Sequence, residues 1–179
     1  MSGNCEYTEF GRFNGKPVRW RILEKDVESM LLISEPLFRK CYHDIEEKVC
    51  WKDCTLRKWL CGEFYSSSFT EEERSLIMSA ELHNESNHEK WVSPNGTVLT
   101  CKGEGGESTT DSIYLLSLSD FRRYYGERCD DAHVWWWLRT PGRASYRAVT
   151  VSDAGELYIG GDFVDSGIFI RPVMRVRII

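Results

Sequence analysis

The side chains best suited to metal chemistry are four cysteines in the first third of the chain, with a histidine near the first of them. Cys41, Cys50, Cys54 and Cys61 are the thiols, and His43 is the histidine. Structural zinc sites usually present their thiolate and imidazole ligands in close pairs of the Cys-x-x-Cys type. Because Cys50 and Cys54 are spaced more widely than this, the pattern favours free thiols packed as small apolar groups over a zinc site.

A second group of possible metal ligands consists of four acidic residues near the end of the chain. They are Asp153, Glu156, Asp162 and Asp165. Calcium needs several oxygen ligands that converge on one point, and the strong loop signal for such a site is the order D-x-D-x-D-G. The four residues lack this order, which favours acids that form turns over a calcium site.

Candidate residues for covalent or acid–base catalysis are few and scattered. Cys129, Asp130 and His133 are close along the chain, but closeness in a loop does not orient a nucleophile against a base. The glycine-rich segment 103–107 contains two glutamates and is not followed by Gly-Lys-Ser/Thr, so it does not resemble a phosphate-binding loop. We therefore predict no catalytic residue, no metal site and no cofactor.

Composition bounds the class of protein. The chain has 179 residues, of which 41% are hydrophobic, and we expect a single globular domain over 1–179. A net charge of −5 disfavours nucleic acid and anionic membrane as partners. No run is apolar enough for membrane insertion, and the first residues lack the features of a signal peptide, so we expect a cytoplasmic protein as synthesised. The odd count of seven cysteines then favours reduced thiols.

Alternating apolar residues at both ends of the chain predict strands. Val18, Trp20 and Ile22 alternate with arginines, and 30–33 follows as the second strand of a hairpin. A last strand is predicted over 173–178, and we expect the terminal segments to meet in one sheet.

Between these ends the pattern becomes helical and then irregular. Apolar spacing predicts helices over 55–65 and 70–79, the second with a capping box at Thr70, and a brief helix that ends at Gly126. Residues 81–111 form a polar excursion with one small hairpin, and 113–116 is predicted as a short buried strand.

The most informative segment is a predicted hairpin over 147–160 with a turn at 153–155. Alternation places Val149, Val151, Leu157 and Ile159 on one face. The opposite face and its flanking loops carry Arg143, Ser145, Tyr146, Arg147, Thr150, Ser152, Glu156, Tyr158, Asp162 and Phe163. A mixture of Tyr, Arg, Ser and Gly is typical of recognition loops, although an ordinary hairpin with a solvated face has the same composition.

Several of these segments together resemble a bacterial and phage domain family of unassigned function. The matching segments are Phe10-Gly11, Val18-Arg19-Trp20-Arg21-Ile22-Leu23, Leu31-Leu32-Ile33-Ser34, Thr55-Leu56-Arg57-Lys58-Trp59-Leu60, Thr109-Thr110-Asp111, Leu115-Leu116-Ser117, Trp136-Trp137-Leu138-Arg139-Thr140-Pro141-Gly142 and Arg171-Pro172-Val173. The resemblance implies a C-type-lectin-like fold of the formylglycine-generating-enzyme type, an α+β fold of short mixed strands with two main helices. Some members are similar to variable proteins of diversity-generating retroelements, in which mutagenesis rewrites a C-terminal repeat that binds ligand.

Carried over by position, the resemblance assigns two roles within a C-terminal display segment, 134–179. Scaffold positions would be Trp136, Trp137, Leu138, Arg139, Gly142, Arg171 and Pro172. Exchangeable ligand-binding positions would be the ten residues named above, from Arg143 to Phe163. One departure is Phe169, which stands where members commonly have glycine and leaves the register of 165–168 open.

The resemblance also frames the alternatives. A formylglycine-generating oxidase needs reactive cysteines in its C-terminal site, whereas the last cysteine here is Cys129. We therefore expect a non-enzymatic domain that binds an unidentified protein or surface ligand. The alternatives are an enzyme or metal-dependent module on the same scaffold, and a structural piece of a phage or secreted assembly. The sequence leaves the oligomeric state open.

Overall fold

Strands dominate the chain, and the helices are few and short. The computed structural model describes residues 5–178. The strands are β1 (Tyr7–Phe13), β2 (Lys16–Lys25), β3 (Ser29–Ser34), β4 (Arg39–Lys40), β5 (Ile77–Met78), β6 (Ala80–Leu82), β7 (Lys90–Val92), β8 (Val98–Thr100), β9 (Thr109–Asp111), β10 (Trp136–Pro141), β11 (Arg147–Val151), β12 (Leu157–Phe163), β13 (Ile168–Phe169) and β14 (Val173–Arg177). The helices are α1 (Thr55–Trp59), α2 (Tyr65–Ser68), α3 (Glu71–Leu76) and α4 (Leu118–Tyr125), with a π-helical segment, Leu60–Phe64, between α1 and α2. The protein is therefore of the α+β class.

The first sheet joins the two ends of the described chain. Its order is β1-β2-β3-β14-β5, and every neighbouring pair is antiparallel. Val173 pairs with Ile33, and Arg177 pairs with Ser29, so β14 runs along the full length of β3. The predictions of an N-terminal hairpin and of terminal segments in one sheet are confirmed.

The helices begin where their caps are and end where sheet pairing takes over. The thiol of Cys54 accepts the backbone N–H of Arg57 at the start of α1, and helical structure continues through the π-helical segment to Ser68, beyond the predicted 55–65. Thr70 and Glu73 form the predicted capping box of α3. The predicted end of that helix at 79 is wrong, because Ile77 and Met78 pair with β14 instead. Helix α4 begins at a second capping box and ends at Gly126, as predicted.

The second sheet has the order β12-β11-β10-β13-β4 and carries most of the C-terminal segment. All six residues of β10 and all five of β11 are buried, since the sheet is covered on both faces near its centre. Trp136 and Trp137 both have 0% exposure, so both indoles belong to the core.

Smaller elements fill the middle of the chain. Strands β7 and β8 form the small hairpin predicted within the excursion, and β6 pairs with β9. The prediction of a strand over 113–116 is wrong: these residues are buried, but only Tyr114 forms a bridge, with Val173. Within residues 5–178, no helix combines the length and apolarity required to span a bilayer.

Two buried arginines connect these elements through their side-chain hydrogen bonds. Arg139 donates from Nη1 to the Leu115 carbonyl at 2.8 Å and to Asp120 Oδ2 at 2.7 Å. Arg171 pairs with Asp131 and donates from Nε to the Ser34 carbonyl at 2.9 Å. Both therefore belong to the scaffold.

Candidate functional site

The candidate site centres on Arg147, at the start of β11. Its guanidinium lies 3.7 Å from the ring centroid of Phe163, and its Nη1 donates to the Gly161 carbonyl at 2.8 Å. The Nε–H is buried and has no acceptor within residues 5–178. A buried donor without a partner is unusual, because losing its bonds to water carries a free-energy penalty.

Several other predicted display residues surround this guanidinium. Burial lowers the pKa of Arg147, the nearby charge of Arg143 lowers it further, and Tyr158, Tyr146 and Asp162 oppose these effects. The Tyr146 ring also stacks on Phe163, with centroids 6.1 Å apart. We call the set of Arg143, Tyr146, Arg147, Tyr158, Asp162 and Phe163 the Arg147 cluster. It contains six of the ten residues that the sequence pattern selected.

Glycines on neighbouring strands shape the backbone of the cluster. The Arg143 N–H donates to the Gly160 carbonyl at 2.9 Å, and the Gly142 N–H donates to the Arg147 carbonyl at 2.7 Å. Gly161 has φ +71°, and a Cβ there would lie 2.3 Å from the carbonyl oxygen of Ala148. Only glycine fits this close approach, which interrupts the regular pairing of β11 with β12 just before Asp162.

Two tryptophans that the sequence reasoning did not select extend the cluster. The Arg143 guanidinium lies 5.3 Å from the Trp91 ring centroid, and Tyr158 contacts both Trp91, at 5.9 Å, and Trp135, at 6.0 Å. Trp91 comes from the β7–β8 hairpin, far away in sequence. Trp135 directly precedes β10 and is 39% exposed, and no pattern in the sequence distinguishes it from the two buried tryptophans that follow.

A shallow cleft of about 230 Å³ opens beside the cluster. It is lined by Arg39, Trp135, Asp162, Gly167, Ile168 and Phe169. Asp162 accepts a hydrogen bond from the Thr150 hydroxyl at 2.7 Å, and Arg39 lies 5.4 Å from the Phe169 ring. The departure at position 169 is therefore a residue of β13 that lines the cleft.

The structure buries three of the ten predicted display residues, so the expectation of an exposed binding face is wrong for these three. Arg147 is 9% exposed, Thr150 0% and Ser152 8%. Thr150 lies between Trp137 and Tyr158 in the register of the sheet, where neighbouring strands cover it. Ser152 supports the hairpin turn, because its hydroxyl accepts the Glu156 N–H at 3.1 Å.

The remaining two display residues lie away from the Arg147 cluster. Glu156 is exposed at the far end of the hairpin, where its backbone forms an isolated antiparallel β-bridge with that of Arg128. The Ser145 hydroxyl accepts the Glu104 N–H at 3.2 Å and lines a separate cavity with His43 and Cys50. Six residues of the predicted set thus form the cluster, and Thr150 is buried beside them. Ser152 and Glu156 lie at the hairpin turn, and Ser145 lies at the separate cavity.

Cys54, Cys61 and Cys129 are held in their protonated form by burial. Burial raises the pKa of Cys54 to about 12 and the pKa values of Cys61 and Cys129 to about 11. A thiol with a raised pKa is a poor nucleophile at neutral pH. Among residues 5–178, no three His, Cys, Asp or Glu side chains come together as possible metal ligands. This holds for the cysteine group around His43 and for the four C-terminal acids.

Comparison with known families places the chain in one of them. A family model matches residues 20–128, which is more than half of the chain. The chain belongs to the DUF6273 family, described as a domain of unknown function. Neither the curated proteins nor the solved structures contain a match. The DUF6273 match includes Trp91 and Arg39 but ends before β10, so all six residues of the Arg147 cluster lie beyond it.

Proposed function

We propose that this protein is a non-enzymatic ligand-binding domain whose C-terminal segment presents the binding surface. The observation that carries the proposal is the Arg147 cluster, in which arginine and aromatic side chains from β11, β12 and their loops gather beside a cleft on a buried scaffold. Rigid aromatic rings and guanidinium groups provide large contact areas with few rotamers to order, and they dominate the energetics of many interfaces.

The proposal includes a C-type-lectin-like fold and a relationship to variable proteins of diversity-generating retroelements. The joining of both ends of the chain in one sheet supports the fold, and the burial of Trp136, Trp137, Arg139 and Arg171 agrees with their proposed scaffold role. Because a buried residue cannot contact a ligand, we assign amino-acid exchange between variants to the half-exposed positions of the cluster and not to the buried Thr150. The raised pKa values of the buried thiols argue against thiolate chemistry on this scaffold.

A displayed peptide library tests the binding proposal directly. The wild-type protein is panned against the library, and the selected peptides are measured against Tyr146→Ala, Tyr158→Ala and a control, Tyr7→Ala. Tyr7 is also half-buried and lies under an arginine, Arg19, but it belongs to the opposite sheet. We expect the two cluster variants to lose at least about tenfold in affinity, which is typical of aromatic interface anchors, and the control to bind as the wild type does.

Two results would contradict the proposal. One is equal binding by the wild type and both cluster variants, and the other is equal loss in the control. The retroelement relationship has its own test in the genomic neighbourhood: a reverse transcriptase and a second, asparagine-codon-rich copy of the C-terminal segment should lie nearby. Their absence would reject diversification but not binding.

A further inference from the structure

Three arginines on the second sheet or in its connecting loops lie on aromatic rings and form no salt bridge within residues 5–178. The pairs are Arg39 with Phe169 at 5.4 Å, Arg143 with Trp91 at 5.3 Å and Arg147 with Phe163 at 3.7 Å. None of the three forms a salt bridge within residues 5–178, whereas the scaffold residues Arg139 and Arg171 each pair with a carboxylate. The display side of the sheet is thus locally cationic in a chain of net charge −5.

Positive charge is most concentrated at Arg143 and Arg147. The two guanidinium groups are close enough to repel each other, and Arg147 is also partly removed from water. Asp162, whose negative charge acts on Arg147, accepts a hydrogen bond from Thr150 and forms no salt bridge within residues 5–178. With the Nε–H of Arg147 also lacking an acceptor, the pair has donors and charge that the fold itself does not satisfy.

We propose that Arg143 and Arg147 bind a carboxylate of an acidic segment in a partner protein, an inference that rests on the proposed binding function. Guanidinium groups donate two parallel hydrogen bonds to a carboxylate, and charge-assisted bonds of this kind are among the strongest in proteins. A carboxylate would relieve the repulsion between the two arginines. The negative net charge of the rest of the chain would repel an acidic segment and so favour its binding to this locally cationic face.

The surroundings of Arg143 favour a protein partner. Trp91, on which Arg143 lies, belongs to a hairpin that exposes apolar side chains to solvent: Val92 is 62% exposed, Val98 59% and Leu99 41%. Protein interfaces commonly combine an arginine and aromatic centre with apolar area around it. An acidic segment flanked by apolar residues matches both features.

Two synthetic peptides test the inference. The first is a capped hexapeptide of alternating tyrosine and glutamate, and the second replaces each glutamate with glutamine. Binding is followed by NMR through the Arg143 and Arg147 Nε–H signals and the Trp91 indole signal, with peptide up to millimolar concentration. We expect the glutamate peptide to shift these signals and to bind at least about tenfold more tightly than the glutamine peptide, with a difference that decreases as salt is added.

Variants then assign the charge effect to the pair. Arg143→Gln should remove most of the difference between the two peptides, and the exposed Arg177→Gln, on the first sheet, should leave it unchanged. Arg143 is preferred to Arg147 for substitution, since the latter is buried and supports the fold; melting temperatures check that both variants are folded.

The outcomes separate this inference from the proposed function. Equal affinity for the two peptides, or a preference for glutamate that survives Arg143→Gln, would overturn the carboxylate site while binding by the face still stands. Absence of any shift with the glutamate peptide would also overturn it. The panning experiment decides the proposed function independently, since it does not presuppose an acidic ligand.

Discussion

The guanidinium of Arg171 and the carboxylate of Asp131 form a two-pronged ion pair inside the fold. Nη1 lies 2.8 Å from Oδ1, and Nη2 lies 3.2 Å from Oδ2. Arg171 is 1% exposed, and Arg21 of β2 donates to the same carboxylate at 2.7 Å. Asp131 therefore connects the loop before β10 to β2 and to the segment that leads into β14.

Replacing Asp131 with asparagine should strongly destabilise the protein. The substitution leaves the buried Arg171 without its counter-charge, and we expect the free energy of unfolding at pH 7 to fall by about 3–5 kcal/mol in urea denaturation. The neighbouring Asp130 is the control: its side chain is 81% exposed and pairs only with Arg128 at the surface. Asp130→Asn should change stability by less than about 1 kcal/mol. Similar losses in both variants would mean that the buried pair does not stabilise the fold.

The same carboxylate predicts a pH dependence. Burial would raise the pKa of Asp131, but the hydrogen bonds and charge of Arg171, with the bonds from Cys129 and Arg21, hold it well below its usual range. Since the pKa is lower in the folded state, the unfolded state takes up the proton first. The stabilisation is complete above the unfolded value of about 3.9 and decreases as pH falls below it. Between about pH 5 and about pH 2, the melting temperature of Asp131→Asn should decrease less than that of the wild type.

The three consecutive tryptophans should differ sharply in their effects on stability. Trp136→Ala and Trp137→Ala each remove a fully buried indole, so we expect losses of about 3–5 kcal/mol by chemical denaturation. Trp135→Ala, at a half-exposed position, should have a clearly smaller effect on stability but should weaken the binding of peptides selected on the cluster. If all three substitutions destabilise equally, Trp135 is part of the core and not of the cluster.

The buried thiols should make the protein less stable at alkaline pH. The pKa values of Cys54, Cys61 and Cys129 are about 12, 11 and 11 in the fold, against roughly 8.5 in an unfolded chain. The unfolded state therefore loses these protons first, and the stability present below about pH 8.5 decreases as pH rises toward the folded values.

Chemical denaturation at about pH 8 and about pH 10 measures this effect, and thiol labelling tests the burial that causes it. At about pH 8, Cys54 and Cys129 of the native protein should react with a thiol reagent only as fast as the structure opens locally. After denaturation without reductant, all seven thiols should react. Rapid reaction of native Cys54 would contradict its burial, and a shortfall after denaturation would reveal a disulfide or a bound metal.

The sequence predicts the ends of the fold well because its apolar alternation has a simple period there. Val18, Trp20 and Ile22 alternate with charged residues in β2, and β14 shows the same pattern, so strand type and pairing follow from local information. The end of α3 was missed because Ile77 and Met78 fit a helix locally, while pairing with a strand far away in sequence decides their conformation.

The site was only partly predictable for a related reason. Alternation establishes which residues of a strand share a face, but not whether other elements cover that face. Thr150 and Tyr158 are neighbours on one face, yet Thr150 is fully buried and Tyr158 is not. Trp91 and Arg39 join the site through tertiary contacts that no local pattern contains.

The position of β14 between β3 and β5 also has a kinetic consequence. β14 lies far from both partners along the chain, so the first sheet cannot be completed before β14 has been synthesised. Contacts between residues that are distant in sequence also form slowly. Until then β3, with Leu31, Leu32 and Ile33, presents an open apolar edge to which a strand of another molecule can add. Folding yield should therefore depend on protein concentration during refolding, and the nascent chain is most exposed to aggregation just before β14 emerges.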